Sequence, residues 1–209
     1  MSFIKFLISG NPQMQNMIAP AVEKLKKRTP EDICRLSGAE YRKDDGEISI
    51  LSLGEEIVLT LPDYEPKTQI EPWRYLTLLQ YLNIADGTPL THRWVALREL
   101  PEGDTRGMGF DRELDQIFKT NFNDVSAEYF KELCRRAGGT VTDGKADACA
   151  EFMFAPFFPI RVSFWESDED FPVSGKVLTD ANAVHYLSME GCGTVCVLTL
   201  RSVAEQLSK

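Results

Sequence analysis

The residues of this chain that could do chemistry are few, and the densest group of them is acidic. Residues 166–170 include Glu166, Asp168, Glu169 and Asp170, and Phe171 follows directly. Carboxylates grouped in this way can hold a hard cation such as Mg²⁺ or Ca²⁺, although the spacing does not match an EF-hand. Adjacent charges also form solvated turns. The sequence therefore leaves open whether this segment binds metal.

The cysteines and histidines form weaker patterns. Cys192 and Cys196 would share one face of a helix and could form a metal or redox pair, or they are buried structural thiols. No nearby Cys or His completes the four ligands that zinc and iron–sulfur sites usually need. His92 and His185 are the only histidines, and each could act as an acid or base. These patterns assign no catalytic residue, no metal ligand and no cofactor.

A glycine-rich segment resembles a phosphate-binding loop only superficially. Residues 101–110 contain Gly103, Gly107 and Gly109, but they lack the Gly-Lys-Ser/Thr ending of a P-loop and the Rossmann spacing, and they carry two acids. The segment is predicted to be a loop, either a flexible one over a cleft or an ordinary surface loop.

Hydrophobic periodicity predicts an α+β fold with a mostly antiparallel sheet packed against several helices. The strongest helix is predicted over residues 72–85, apolar on nearly its whole circumference and therefore central. Turn residues predict a β-meander over residues 40–61, followed by a polar connection over residues 62–72. The other predictions are helices over residues 20–28, 29–38, 111–122 and 126–137, strands at 94–97 and 157–165, a loop with a short helix over 140–151, and either strand or helix over 192–207.

Composition and charge limit the possible classes of function. The length and the 43% hydrophobic content predict an N-terminal arm of residues 1–19, with a packed strand as one option, and a single domain of residues 20–209. A net charge of −9 disfavours binding to nucleic acids and to anionic membranes. Five scattered cysteines indicate reduced thiols in a cytoplasm. The apolar run interrupted by Lys5 is too short for a signal-peptide core or a membrane span.

Residues 165–172 follow a Trp-x-x-Asp-Glu-x-Phe-Pro pattern, and three blocks that include it resemble a domain-of-unknown-function family of anaerobic bacteria and archaea. This pattern is the most specific part of the resemblance. Mild departures are Thr179, where the family often has Phe, and Leu97, where it often has Phe as well. The blocks consist of residues 81–82, 85–90 and 94–103; of residues 158–160, 165–172 and 178–180; and, more weakly, of residues 30–32 and 37–41.

The resemblance implies an accessory role in the cytoplasm of an anaerobe, near corrinoid or one-carbon metabolism. Some relatives carry an iron–sulfur module similar to that of corrinoid iron–sulfur proteins, but the cysteines here do not form one, so no cluster is carried over to this chain. The resemblance supplies no catalytic residues.

The two larger blocks also predict a ligand-binding cleft, since aromatic walls with a few polar groups are typical of ligand pockets. The alternative is that the aromatic residues are core and the carboxylates are surface. One structural ion pair, from Arg98 to Asp168 or Glu169, is predicted to bridge the blocks. The predicted lining consists of Trp94, Arg98, Glu99, Trp165, Asp168, Glu169 and Phe171.

Two hypotheses of function follow from these residues. The first is a non-enzymatic binding or accessory domain for a small planar ligand or a partner protein. The second is a metal-assisted hydrolase or transferase that uses Asp168, Glu169 and Asp180. The absence of a recognisable catalytic motif favours the first, and the sequence makes no prediction of oligomeric state.

Overall fold

Tight turns fold the first third of the chain into a four-stranded antiparallel sheet. The computed structural model describes residues 12–209, except for five side chains. Gly46 and Gly54 adopt positive φ at the first two turns, which is a conformation that glycine takes without a steric penalty. The predicted β-meander is confirmed, and the following connection contributes a further short strand. The strands, in spatial order, are β1 (Glu40–Arg42), β2 (Glu47–Ser52), β3 (Glu55–Thr60) and β4 (Glu65–Pro66).

A second antiparallel sheet is built from the later part of the chain. Its spatial order is β5-β9-β8-β7-β6. The strand predicted over residues 157–165 is β8, in which buried and partly exposed residues alternate from Ile160 onwards. The strands are β5 (Trp94–Val95), β6 (Thr140–Thr142), β7 (Ala148–Ala155), β8 (Phe158–Trp165) and β9 (Ser174–Asp180).

Within residues 12–209, six α-helices pack with these sheets, so the predicted α+β class is confirmed. The helix predicted over residues 72–85 is α3, and its Leu78, Leu79 and Leu82 have no exposed surface. Its two ends are more exposed to solvent than predicted, because Trp73 and Ile84 lie at the surface. The helices are α1 (Pro12–Leu25), α2 (Pro30–Ser37), α3 (Pro72–Ile84), α4 (Gly103–Asn121), α5 (Ala127–Arg136) and α6 (Met189–Ala204). Among the residues described, none of them has the length and apolarity needed to cross a bilayer.

The first helix begins earlier than the sequence predicted. It starts at Pro12 and continues through Pro20, whereas the sequence predicts an arm up to residue 19 and a helix only from residue 20. Met14, Ile18 and Val22 are buried at a spacing of four residues, which forms one apolar stripe along the helix. That stripe packs into the core and maintains the helix across the proline. Residues 1–11 of the predicted arm lie outside the described residues.

The predicted glycine-rich loop is wrong over most of its length, because helix α4 begins at Gly103. A Cβ on Gly103 would lie 2.2 Å from the Leu97 carbonyl oxygen, and one on Gly107 would lie 3.0 Å from the Arg98 nitrogen. These glycines therefore let α4 approach the 3₁₀ turn Leu97–Glu99 at backbone distance. Close packing, and not flexibility, explains the glycines.

Two other segments differ from, or complete, the sequence-based predictions. Residues 140–151 form β6, a loop over residues 143–147 and the start of β7, so the predicted loop is confirmed in part and the predicted short helix is wrong. Ala148 and Ala150 are buried opposite Phe164 and Val162 of β8, so the pairing with β8 determines their conformation. The ambiguous segment 192–207 is helical up to Ala204 and forms most of α6.

Candidate functional site

The acidic segment forms a tight turn between β8 and β9. The Asp168 carboxylate oxygen Oδ1 accepts hydrogen bonds from the backbone N–H groups of Asp170 (2.9 Å) and Phe171 (2.7 Å). The Asp168 N–H donates to the Phe171 carbonyl at 2.9 Å. Asp168 therefore closes the turn by local side-chain hydrogen bonding, and Phe171 is left at its tip with 70% of its surface exposed.

The same turn is tied to its neighbours on both sides. The Glu166 carboxylate accepts a hydrogen bond from the Ala127 N–H (2.7 Å), at the positive end of α5. The Asp147 carboxylate accepts one from the Glu166 N–H (3.0 Å). The Ser167 hydroxyl donates to the Asn123 carbonyl (2.9 Å). The side chains of Asp147, Glu166 and Asp168 are thus fixed in orientation by protein donors.

An open cavity of about 650 Å³, here called the turn cavity, lies between this turn and the outer face of the second sheet. Its volume is within the range typical of small-molecule sites. The Lys176 ammonium lies 5.8 Å from the centre of the Trp165 ring, over its face. The lining residues are Asp147, Trp165, Glu166, Asp168, Phe171, Pro172, Ser174 and Lys176.

The structure brings three of the seven predicted cleft residues to the turn cavity, namely Trp165, Asp168 and Phe171. Glu169 is an exposed residue of the same turn and does not line the cavity. Asp147 and Lys176 also line it, and sequence reasoning missed both. Their position depends on strand pairing, because Lys176 lies opposite Ser163 on β8, and the sequence pattern does not give that register.

Arg98 and Glu99 lie on the 3₁₀ turn Leu97–Glu99, directly after the short strand β5. The Glu99 carboxylate accepts a hydrogen bond from the Ala96 N–H (2.7 Å) and so caps that turn. Arg98 lines a separate cavity of about 170 Å³, here called the edge cavity, together with Asp111 and Lys176. Lys176 therefore borders both cavities.

The predicted ion pair between Arg98 and Asp168 or Glu169 is wrong. Neither carboxylate lies within ion-pair distance of Arg98 in the part of the chain that the structure describes. The physical reason is local, because one Asp168 oxygen is occupied by backbone donors of its own turn, and Arg98 lies in the edge cavity beyond Lys176.

Trp94 lies at the opposite end of β9 from the turn cavity. It pairs with Asp180, whereas Trp165 pairs with Ser174. The two paired residues of β9 are six positions apart, which corresponds to roughly 20 Å along the strand. The Arg161 guanidinium lies 4.7 Å from the centre of the Trp94 ring. The seven predicted residues therefore occupy separate places along the sheet and do not line one cleft.

The same separation applies to the proposed metal ligands, since Asp168 precedes β9 and Asp180 ends it. Asp180 is only 2% exposed. Its Oδ1 accepts hydrogen bonds from the Thr91 N–H (3.0 Å), the Thr91 hydroxyl (2.7 Å) and the Asn182 N–H (3.0 Å). Within residues 12–209, no three His, Cys, Asp or Glu side chains are grouped in a way that could hold a metal ion.

One of the two histidines has a carboxylate partner that sequence reasoning missed. His185 Nδ1 lies 2.8 Å from Asp86 Oδ2 and 3.2 Å from the Thr88 hydroxyl. These contacts connect the loop after α3 to the 3₁₀ turn Ala183–His185. The partners are 99 positions apart in sequence, so no local pattern could have revealed the pair.

The hydrogen bond from His185 lowers the pKa of Asp86 to about 2. A carboxyl group with a depressed pKa adds stability above about pH 4, and this contribution is lost as the pH falls through 2. Both side chains are nearly half exposed, so solvent screening limits the contribution to at most about 1 kcal/mol. We expect Asp86→Asn to cost up to this amount at pH 5 and almost nothing near pH 2, as measured by urea unfolding. An equal cost at both pH values would contradict the ionic role of Asp86.

The cysteines are buried free thiols. Cys192 and Cys196 lie on the inner part of α6 and have no exposed surface. Burial raises the pKa of Cys192 to about 12 and raises that of Cys196 as well. Since the thiolate is the form that binds metals and attacks electrophiles, both thiols are expected to be unreactive.

Comparison with known proteins assigns the chain to one family. Residues 29–202 match a domain of unknown function (DUF3786), so the chain belongs to this family. No curated protein and no solved structure is significantly similar to it. The matched range contains every residue that lines the turn cavity.

Proposed function

We propose that this chain is a binding domain whose ligand occupies the turn cavity. The observation that supports this function best is the combination of Trp165, an exposed Phe171 and pre-oriented polar groups around one cavity of about 650 Å³. A large exposed aromatic residue at a cavity mouth is expected where a ligand covers it. The ligand would place a planar or apolar part against these two rings.

The polar groups of the turn cavity support binding more than catalysis. Asp147, Glu166 and Asp168 each use one oxygen to hold backbone N–H groups. The lining contains no histidine and no cysteine among the described residues. General acid–base or nucleophilic chemistry would need a group whose pKa or neighbours suit that role. A positioning role for the carboxylates agrees with these hydrogen bonds.

The accessory role near corrinoid or one-carbon metabolism remains a prediction from the family resemblance. The turn cavity is compatible with it, because an accessory protein can hold a small molecule or a planar group of a partner without transforming it. The location of the protein in an anaerobe's cytoplasm is likewise a prediction.

The three tryptophans provide a direct test of the turn cavity. We expect the indole N–H signal of Trp165 to shift in NMR spectra when the protein is titrated with indole. The signals of Trp73 and Trp94 serve as internal controls and should stay unchanged. Phe171→Ala should weaken the binding about 2- to 12-fold, which corresponds to the free energy of one aromatic contact.

A matched control separates this effect from a general loss of apolar surface. Leu51 is also exposed, but it belongs to the first sheet. Leu51→Ala should therefore leave indole binding unchanged. An unshifted Trp165 signal at millimolar indole, or equal shifts of all three tryptophans, would refute the proposal.

A further inference from the structure

Lys176 is the one cation that lines the turn cavity in the described part of the chain, and it lies over an indole ring. Its ammonium is 5.8 Å from the centre of the Trp165 ring, and its side chain is exposed. Among the described residues it forms no ion pair with Asp147, Glu166 or Asp168. The cation of the cavity is thus attracted by an aromatic face and is not neutralised by a carboxylate.

The carboxylates of the turn cavity are only partly satisfied. Asp147 Oδ2, Glu166 Oε2 and Asp168 Oδ1 accept backbone hydrogen bonds. The second oxygen of each receives no hydrogen bond from the described residues. The lining therefore carries three negative groups and one positive group, and its oxygens are oriented before any ligand arrives. Such pre-organisation lowers the entropic cost of binding a cation, while an anion would meet repulsion.

We infer that the turn cavity binds an organic cation, specifically a primary ammonium group attached to a planar or apolar body. Lys176 is the residue that determines this specificity, because it occupies the face of Trp165 as an internal cation that the ammonium of the ligand displaces. The apolar body of the ligand then lies against Phe171 and Pro172. This inference rests on the proposed function and specifies the ligand class of the same cavity. The ammonium belongs either to a free amine or to a lysine side chain of a partner.

Three probes that share a phenyl ring test the charge preference: phenethylammonium, 2-phenylethanol and 3-phenylpropionate. The Trp165 indole signal is followed by NMR at pH 7 with each of them. We expect phenethylammonium to bind most tightly and 3-phenylpropionate most weakly. Lys176→Ala should raise the affinity for phenethylammonium about 2- to 5-fold, since removal of the competing cation frees the indole face. Lys176→Gln, which keeps most of the length, should behave in the same way.

Lys24→Ala is the matched control, because it removes the same charge from an exposed position on α1. It should leave all three affinities unchanged. The blocked dipeptide N-acetyl-phenylalanyl-lysine amide distinguishes the two sources. If the dipeptide binds at least tenfold more tightly than phenethylammonium, the ammonium belongs to a lysine side chain of a partner. If its gain in affinity is smaller than tenfold, or if it binds less tightly, the ammonium belongs to a free amine.

The failure of this inference differs from the failure of the proposed function. If 3-phenylpropionate binds best and Lys176→Ala weakens it, the ligand is an anion held by Lys176, and the cation inference is overturned while the cavity remains a binding site. If Lys176→Ala changes phenethylammonium binding no more than Lys24→Ala does, Lys176 does not set the specificity. If neither indole nor any phenyl probe shifts the Trp165 signal, both proposals fail.

Discussion

Phe164→Ala is expected to lower the free energy of unfolding by about 3–5 kcal/mol, the range for deletion of a fully buried phenylalanine ring. Phe164 has no exposed surface. Its ring stacks on that of Phe130 at 4.3 Å between centroids and lies 6.4 Å from those of Phe118 and Phe122. This aromatic cluster joins β8 to α4 and α5, so its loss would loosen the layer that carries the turn cavity. Urea unfolding followed by circular dichroism measures the effect.

Two further variants keep this prediction testable if Phe164→Ala does not fold. Phe164→Leu retains most of the volume and should cost less than about 1.5 kcal/mol. Phe171→Ala removes the same ring from a position that is 70% exposed, and it should cost less than about 0.5 kcal/mol. Equal losses of unfolding free energy for Phe164→Ala and Phe171→Ala would show that the aromatic cluster around Phe164 is not the core of this layer.

The elements that sequence reasoning predicted well are those in which local pattern and tertiary environment agree. The helix α3 has a long apolar run that begins at a proline, and β8 has alternating burial. The prediction of a loop at the start of α4 is wrong because local pattern and tertiary environment disagree there. Gly103 and Gly107 lower intrinsic helix propensity, but here they permit a backbone contact with the 3₁₀ turn at Leu97 and Arg98. A contact between separate elements overrides propensity, and sequence spacing does not reveal it.

The candidate site shows the same division between local and long-range information. Trp165, Asp168 and Phe171 line the same cavity because they lie within seven consecutive positions, at the end of β8 and in the turn that follows it. Trp94 was grouped with them only because of the family resemblance, and the strand register places it at the far end of β9.

Lys176 and Asp147 are the residues that sequence reasoning could not have placed in the cavity. Lys176 reaches it through the pairing of β9 with β8, and Asp147 reaches it through a hydrogen bond to the backbone of Glu166. Both relationships depend on distances between strands, for which a single sequence has no local pattern.

Asp180 holds the loop before β5 against the end of β9, and its removal is the second substitution with a large expected effect. It ends β9 and accepts three hydrogen bonds from Thr91 and Asn182 while almost completely buried. Asp180→Ala would leave the buried Asn182 N–H and the partly buried donors of Thr91 without this acceptor. Buried donors that lose their partner cost about 1–3 kcal/mol, and more when the lost acceptor is charged. We therefore expect Asp180→Ala to destabilise the protein by about 3 kcal/mol.

The pH dependence of this contribution has a defined sign. Burial alone raises the pKa of Asp180, but the Thr91 hydroxyl and the N–H groups of Asn182, Thr91 and His92 offset it, so the pKa lies below its usual value. A depressed pKa gives stability that is present above about pH 4, where the unfolded-state carboxyl ionises, and is lost as the pH falls through the folded-state pKa. The difference between the wild-type protein and Asp180→Ala should therefore shrink below pH 4.

Comparison with Asp170→Ala tests whether the effect belongs to the buried acceptor or to the loss of one negative charge. Asp170 is an exposed acid of the turn, and its side chain accepts no hydrogen bond from the described residues. Its substitution should change the free energy of unfolding by less than about 0.5 kcal/mol. Asp180→Asn keeps one acceptor oxygen, so its cost in unfolding free energy should lie between those of Asp180→Ala and Asp170→Ala. If Asp180→Ala is no more costly than Asp170→Ala at pH 7, then Asp180 does not hold the loop before β5 against the end of β9.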